Sequence, residues 1–423
     1  MLFEPLIAVS AHSSLGQKLQ KLLFAVVCLA VVAFYFESIF RTYGAAKASA
    51  DPAQLARAVM LAPEDAGYHH LLGRYLFFTG QNTTAALEHY RRATELNPRI
   101  AAVWLDLAQA YQARGESSSW QQALARALAI DSHTPDVAWQ AGQQQLAAGQ
   151  TLLALRQFQV VIAHDSTTAR TAIDLAWRAT HDPKLLLQEA IPVAANSRLQ
   201  FLNYMIEHRE RAGAALAWSE IVNLNQRFAP ELAVPYVDFL LTSNDDAGGA
   251  LAVWQFLQSL DPQFSTFTQS GGIVNAGFEQ PVLSAGLDWR STPPAGVSAT
   301  IDVNNAYKGT KSLAVVLDGT PIDDVGVFQY LVLRPSTNYE FSAYVRDESI
   351  AGVGGLRFQI SGQTSTPYYT SGQLPESDSW EQVHGSFRTP KQPGAAILKI
   401  VCRPARQHLR GRFWIDELEL IAQ

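Results

Sequence analysis

Tyr344 and Arg346 stand two residues apart, and Arg357 and Gln359 repeat that spacing in the run that follows. Strand alternation turns each pair away from its apolar neighbours: Tyr339, Phe341, Ala343 and Val345 in the first run, Leu356, Phe358 and Ile360 in the second. An aromatic ring with planar polar groups at its rim is the chemistry that holds the apolar face of a pyranose. Trp289, Tyr368 and Tyr369, in turn-rich segments, are expected to border such a face, whereas Trp380 and Trp414 are assigned to the core.

Residues that could do covalent or metal chemistry are poorly placed for it. The chain has no nucleophile elbow, P-loop, dinucleotide loop or metal-protease helix. His69 and His70 are adjacent, so on a helix they diverge by about 100° and cannot chelate one ion; both read as solvated. Asp323 with Asp324, and Glu376 with Asp378, lie in turn-like segments without a hydrolase scaffold. No catalytic residue is assigned, and the chain is expected not to be an enzyme.

The chain must then position a binding face. It has 423 residues, 48% of them hydrophobic and 17% charged, enough for two or three domains with sizeable cores. A formal charge of −6 leaves no basic surplus for phosphates, so nucleic acid is not expected as a partner. With two cysteines, Cys28 and Cys402, neither a disulfide framework nor a thiolate metal site can be drawn.

Leu22 to Phe36 is an uncharged apolar run, and extended over 19–40 it matches the roughly 20 residues that cross a bilayer. Lys18 and Lys21 precede it, and the positive-inside rule places 1–18 in the cytoplasm and everything after the helix outside. Ala48-Ser49-Ala50 has the form of a signal-peptide cleavage site but lies far behind the apolar run, so an uncleaved single-pass anchor in the inner or plasma membrane is the expectation.

After a linker over 41–51, residues 52–262 carry apolar residues at helical spacing with a period of 34. Ala86, Trp120 and Ala154 share the period, as do Tyr90, Leu124 and Phe158, then Ala93, Ala127 and Val161, and finally Asn97, Asp131 and Asp165. Gly115 and Gly149 keep the same offset. Trp104, Leu107, Ala108, Tyr111, Gly115, Trp120, Leu124, Ala127 and Ser132 resemble a tetratricopeptide repeat, with Trp120 where that family has a small residue. The resemblance implies five to six helix pairs in a curved solenoid that binds a protein segment. Past Asp165 the register decays, with Thr180 to Pro183 and Pro192 interrupting it, and Ala250, Trp254, Leu257 and Pro262 restore it.

Near Phe264 the composition turns to Gly, Ser, Thr, Val and Tyr in short alternating runs, and past a linker over 263–272 an all-β domain is expected over 273–423. Asn275-Ala276-Gly277-Phe278-Glu279, Gly309 through Leu313, Pro335 through Tyr339, Trp380 with Phe387 and Pro390, and Phe413-Trp414-Ile415-Asp416 resemble the jelly-roll carbohydrate-binding modules of the family 4/9 type. The resemblance implies a structural calcium held by Glu279, Asp416 and the Lys311 carbonyl, an oxygen set suited to that ion. In layout the chain is similar to bacterial envelope proteins associated with exopolysaccharide assembly.

The expected architecture is a transmembrane helix, a helical solenoid and a β-sandwich. The expected function is a scaffold that recruits a protein partner through the helices and a polysaccharide through the sandwich. The alternative is a structural or accessory subunit of a membrane complex in which both domains bind only protein.

Overall fold

A computed structural model describes residues 15–48, 51–80, 82–243, 246–267, 269–270, 272–352, 354–362 and 366–423. Most of the expected cytoplasmic tail, and Ser49 and Ala50 of the cleavage-like triplet, lie outside the described residues. A helical region with 14 α-helices among the described residues is followed by a β-sandwich of two sheets. By contacts the chain divides into two compact units, Met1–Asp165 and Ser166–Gln423.

In the first unit, α1 (Leu15–Ala48) contains an 18-residue window, Gln20–Glu37, with mean hydropathy 1.8 and none of it buried. It is long and apolar enough to cross a membrane. There follow α2 (Pro52–Leu61), α3 (Ala66–Phe78), α4 (Thr83–Leu96), α5 (Ala101–Ala113), α6 (Ser117–Ile130), α7 (Pro135–Ala147) and α8 (Thr151–His164). Helices α3 and α4, α5 and α6, and α7 and α8 pack as pairs.

The 34-residue pattern has a steric meaning. Tyr90, Leu124 and Phe158, like Ala93, Ala127 and Val161, are buried at the pair interfaces. A Cβ on Gly73 would come within 2.8 Å of the Tyr90 ring, and one on Gly142 within 2.7 Å of the Phe158 ring. Small residues there let the helices of a pair approach, which is why Tyr90 and Phe158 each face a glycine. Gly115 and Gly149 act through the backbone alone: both have φ near +75°, and a Cβ would meet nothing. Trp120 is accommodated by a polar partner, its indole N–H donating to Gln144 Oε1 at 3.1 Å while Gln144 Nε2 donates to the Leu105 carbonyl.

His69 and His70 differ from the solvated reading. His69 is buried, its Nδ1 lying 3.0 Å from Nδ1 of His89, and His70 Nε2 contacts Asp106 Oδ2 at 2.6 Å. Helix α3 is covered by α4 and α5, so both imidazoles are used in packing.

The second unit begins with α9 (Ala169–Thr180), the short α10 (Pro183–Glu189), α11 (Ala195–Glu207), α12 (Arg211–Leu224), α13 (Val234–Ser243) and α14 (Ala247–Leu260). The interruption at 180–183 is a helix end: His181 takes φ 48°, and Asp182 caps the next helix through the amides of Lys184 and Leu185.

The sandwich contains β1 (Gln269–Ser270), β2 (Ile273–Val274), β3 (Arg290–Ser291), β4 (Val297–Asp302), β5 (Ser312–Ile322), β6 (Asp324–Val332), β7 (Asn338–Ala351), β8 (Gly355–Ser361), β9 (Tyr369–Thr370), β10 (Glu381–Arg388), β11 (Ala395–Arg403) and β12 (Gln407–Ala422). Strands β1 and β2 pair with each other as a separate antiparallel ribbon, while the two sheets of the sandwich run β10-β7-β12-β5-β4 and β3-β6-β11-β8-β9, both antiparallel. Between them lies a core that includes Phe341, Val345, Phe358, Ile360, Leu398, Phe413 and Ile415. The segment after α14 is packed, with Phe264 and Phe267 ringed around Trp254.

Asp288 is fully buried ahead of β3, with Oδ2 accepting from the Leu283 amide at 2.7 Å, and burial pushes its carboxyl up to about 6. Because the folded state raises this pKa, its contribution to stability is fully present below the ordinary value near 3.8 and is lost as pH rises through about 6. Asp288→Asn is therefore expected to raise the melting temperature, relative to the parent protein, more at pH 7.5 than at pH 5. Equal shifts at the two pH values in calorimetry would contradict this.

Candidate functional site

Along β12, Phe413 and Ile415 enter the core, so alternation turns Trp414 to the outer face of the five-stranded sheet. Along β7 the same rule turns out Tyr344 and Arg346 between the buried Ala343, Val345 and Asp347. Trp414 lies opposite Arg346 in the ladder, and Gln382 of β10 lies opposite Tyr344.

A loop between β4 and β5 runs alongside β7 and completes this face. Tyr307 stacks on Tyr344 with ring centroids 3.6 Å apart and planes inclined by 12°. Trp380, just ahead of β10, meets Tyr307 edge-on at 6.1 Å. Asn305, two residues before Tyr307, accepts a hydrogen bond from Arg346 Nη1 at 2.9 Å. The loop thus lays Asn305 on Arg346 and Tyr307 on Tyr344. With 43% of its surface exposed, Tyr307 is the ring that presents a face to solvent. The hydroxyl of Tyr344 raises the Tyr307 phenol above its usual range.

Carboxylates hold this loop. Asp416 Oδ2 accepts from the amides of Tyr307 and Lys308 at 2.7 and 3.1 Å, and Glu279 Oε1 accepts from those of Thr310 and Lys311 at 2.7 and 2.9 Å. Asp302 accepts from the Trp414 indole at 2.7 Å, from Asn305 Nδ2 at 3.0 Å and from the Asn304 amide at 2.8 Å. Those bonds, Asn305 foremost, hold the Asp302 carboxyl down at about 2. Burial pushes Asp416 up. For Glu279 burial is the largest single influence and acts upward, but the bonds from Thr310 and Lys311 outweigh it and leave the carboxyl low.

Asp416 thus holds the middle of the loop and Glu279 its C-terminal end, where Lys311 lies. Their oxygens have the chemistry calcium prefers. Each carboxylate is already engaged by loop N–H groups, and the Lys311 ammonium donates to the Glu279 carbonyl. Among the described residues no group of three or more His, Cys, Asp or Glu side chains is gathered as a metal would require.

The other expected face residues scatter. Strand β8 belongs to the opposite sheet, so Arg357 and Gln359 lie on the far side of the sandwich from Tyr344 and Arg346. There Arg357 donates to the Ser371 carbonyl and Gln359 accepts from Arg403. Trp289, expected in a bordering loop, is instead closed in the core: 3% exposed, its ring against Phe278 and its indole N–H on the Asn275 carbonyl. Tyr369 likewise points inward, stacking on Phe387 and packing against Phe341. Tyr368 is half-buried, with its hydroxyl on the Pro393 carbonyl. In the other direction, Trp380 and Trp414 were expected in the core and belong to the outer face. Trp414 owes its burial to that face's own side chains, with the guanidinium carbons of Arg346 and Arg412 at 5.2 and 5.7 Å from its ring.

Shallow depressions continue the face along the strands, one lined by Ser342, Gln382, His384 and Glu419, the other by Val316, Glu348, Arg410 and Arg412.

Residues 270–406 match the family described as a carbohydrate binding domain, of the CBM 4/9 type. The match lies within the C-terminal, all-β part of the chain. That family is non-catalytic. Among solved structures, the CBM22-1 xylan-binding domain of Paenibacillus barcinonensis Xyn10C aligns at 18% identity with a TM-score of 0.26, over 35% of this chain and 91% of that one. A CBM4 structure aligns at 11% identity and TM-score 0.28, over 36% of this chain and 99% of that one. Pseudomonas aeruginosa pilF aligns at 16% identity and TM-score 0.27, over 47% of this chain and 92% of that one. None of the curated proteins matches the chain.

Proposed function

We propose that the chain is a membrane-anchored, non-catalytic scaffold of the cell envelope that holds polysaccharide on the outer face of its sandwich and recruits a protein through tetratricopeptide-like helix pairs. The observation that carries the sugar-binding part is the exposed Tyr307 ring, backed by Tyr344, walled by Trp380 and set beside Arg346, within a region matched to a carbohydrate-binding family. Flat aromatic surface with hydrogen-bonding groups at its edge suits the two kinds of surface a pyranose offers.

In this reading α1 crosses the membrane, which its apolar window supports, and leaves the later domains outside the cytoplasm, as Lys18 and Lys21 ahead of it suggest. The protein-binding surface would include the depression lined by Trp104, Leu107, Tyr111, Gln122 and Arg126, where Arg126 lies over the Trp104 ring and Arg91 donates to the Tyr111 hydroxyl. Calcium, in the same proposal, reinforces the loop clamp through Glu279, Asp416 and the Lys311 carbonyl.

The full chain in detergent micelles is expected to be retarded in native gels cast with at least one polysaccharide from a panel of neutral and acidic polymers. Migration unchanged by every polymer would overturn the sugar-binding reading and favour a subunit that binds only protein.

A further inference from the structure

On the proposed polysaccharide face, Arg346 differs from Arg290 and Arg198, whose side chains are also largely buried. Arg290 is paired with Asp238, and Arg198 has Glu220 at 3.0 Å. Arg346 has no carboxylate within ion-pair distance among the described residues. Its only hydrogen bond is from Nη1 to the neutral amide of Asn305, and its Nε is buried without a partner. Asp302, the carboxylate that shares Asn305 with Arg346, is spent on the Trp414 indole, the Asn304 amide and Asn305 Nδ2. The Asn305 amide therefore fixes the guanidinium without neutralising it.

This cation is held in place rather than left to wander. Trp414 supports it from below at 5.2 Å, and the loop that carries Asn305 also carries Tyr307. A second guanidinium, Arg412, lies over the same indole, with its carboxylate neighbour Glu348 only at 3.8 Å and both side chains at least half exposed. A guanidinium offers five N–H donors in a planar fork that matches a carboxylate. Arg346 stands about 7 Å along β7 from Tyr344, within reach of an exocyclic substituent on a ring stacked on Tyr307.

We infer that the ligand class is an acidic polysaccharide, one whose uronate carboxylate is received by Arg346, with Arg412 adding positive potential. This inference rests on the sugar-binding reading above and narrows it. A neutral hydroxymethyl group would leave the guanidinium without a counter-charge, whereas a carboxylate supplies the acceptors its unused donors lack.

The test uses the full chain in detergent micelles and three acidic polymers, namely polygalacturonate, alginate and C6-oxidised cellulose, each against its own carboxyl-reduced form, with dextran sulfate as a separate arm. For at least one pair the acidic form is expected to bind roughly 10-fold tighter at low salt, the ratio falling as salt is raised. Arg346→Gln is expected to collapse that ratio toward one, and Arg346→Lys to leave an intermediate value. Equal affinity for acidic and reduced forms in every pair, or a ratio that survives Arg346→Gln, would overturn the inference while leaving polysaccharide binding intact. Binding to dextran sulfate but to no uronate would also overturn it, and binding to no polymer of any kind would overturn both readings. The wild-type ratio decides the matter even if a variant fails to fold.

Discussion

Tyr307→Ala is expected to weaken polysaccharide binding by roughly 2 kcal/mol, about 30-fold in Kd, because an aromatic ring fully buried by a ligand is worth about that much. The ring is exposed and its removal leaves the sandwich core untouched, so the melting temperature should stay close to that of the parent. Tyr344→Ala should give a similar loss by a different route. Its ring lies beneath Tyr307 at 3.6 Å, and without it Tyr307 loses the surface that holds it flat. Tyr307→Phe keeps the stack and should retain most of the affinity. Trp289→Ala makes the contrast: that ring is in the core, so the variant should lose several kcal/mol of stability, about 3–5 by the usual cost of such truncations, with no selective effect on binding. Isothermal titration alongside thermal melts separates the two patterns. If Tyr307→Ala leaves affinity within twofold, the stacked pair is not the sugar platform.

The placement of Tyr344 and Arg346 on an outer face was legible because β7 alternates cleanly over 14 residues. The same rule, applied to Phe413-Trp414-Ile415, turns Trp414 outward, and the preference of tryptophan for interiors misled there. Its low exposure is real, but two arginines and Asp302 cover it instead of the core. Which strands share a sheet was not legible. Tyr344 with Arg346 and Arg357 with Gln359 lie in successive runs, yet the chain crosses between sheets from β7 to β8, so the pairs face opposite ways. Tyr307 carried only the faint signal of an aromatic in a polar, glycine-containing loop. Its role comes from tertiary anchoring by Asp416 and Glu279, residues more than 25 positions away in either direction. In the helical region the 34-residue period was legible because it encodes a steric requirement, a large apolar side chain against a small neighbour, seen directly where Tyr90 meets Gly73 and Phe158 meets Gly142.

The second large effect concerns how helices and sandwich are joined within the second unit. Trp254 of α14 is fully buried, its ring packed by Phe264 and Phe267 and by the backbone of Gly286. Gly286 has φ 63°, and a Cβ there would fall 2.3 Å from the indole, so the close approach depends on both residues. Beside it, Asp238 of α13 accepts from the Gly286 amide at 2.8 Å and from Arg290 at the start of β3. Apolar contact and a half-buried ion pair thus bind the last helix pair to the edge of the sandwich. Trp254→Ala should cost about 3–5 kcal/mol of stability, since the cavity is enclosed on the helix side and on the sandwich side and neither can collapse freely into it. Chemical denaturation of the full chain should show a lower midpoint for the transition followed by sandwich tryptophan fluorescence. Limited proteolysis should cut first at 261–272, where the joint has opened. A loss below 1 kcal/mol, with that segment still protected, would mean that the helices and the sandwich hold together without the indole.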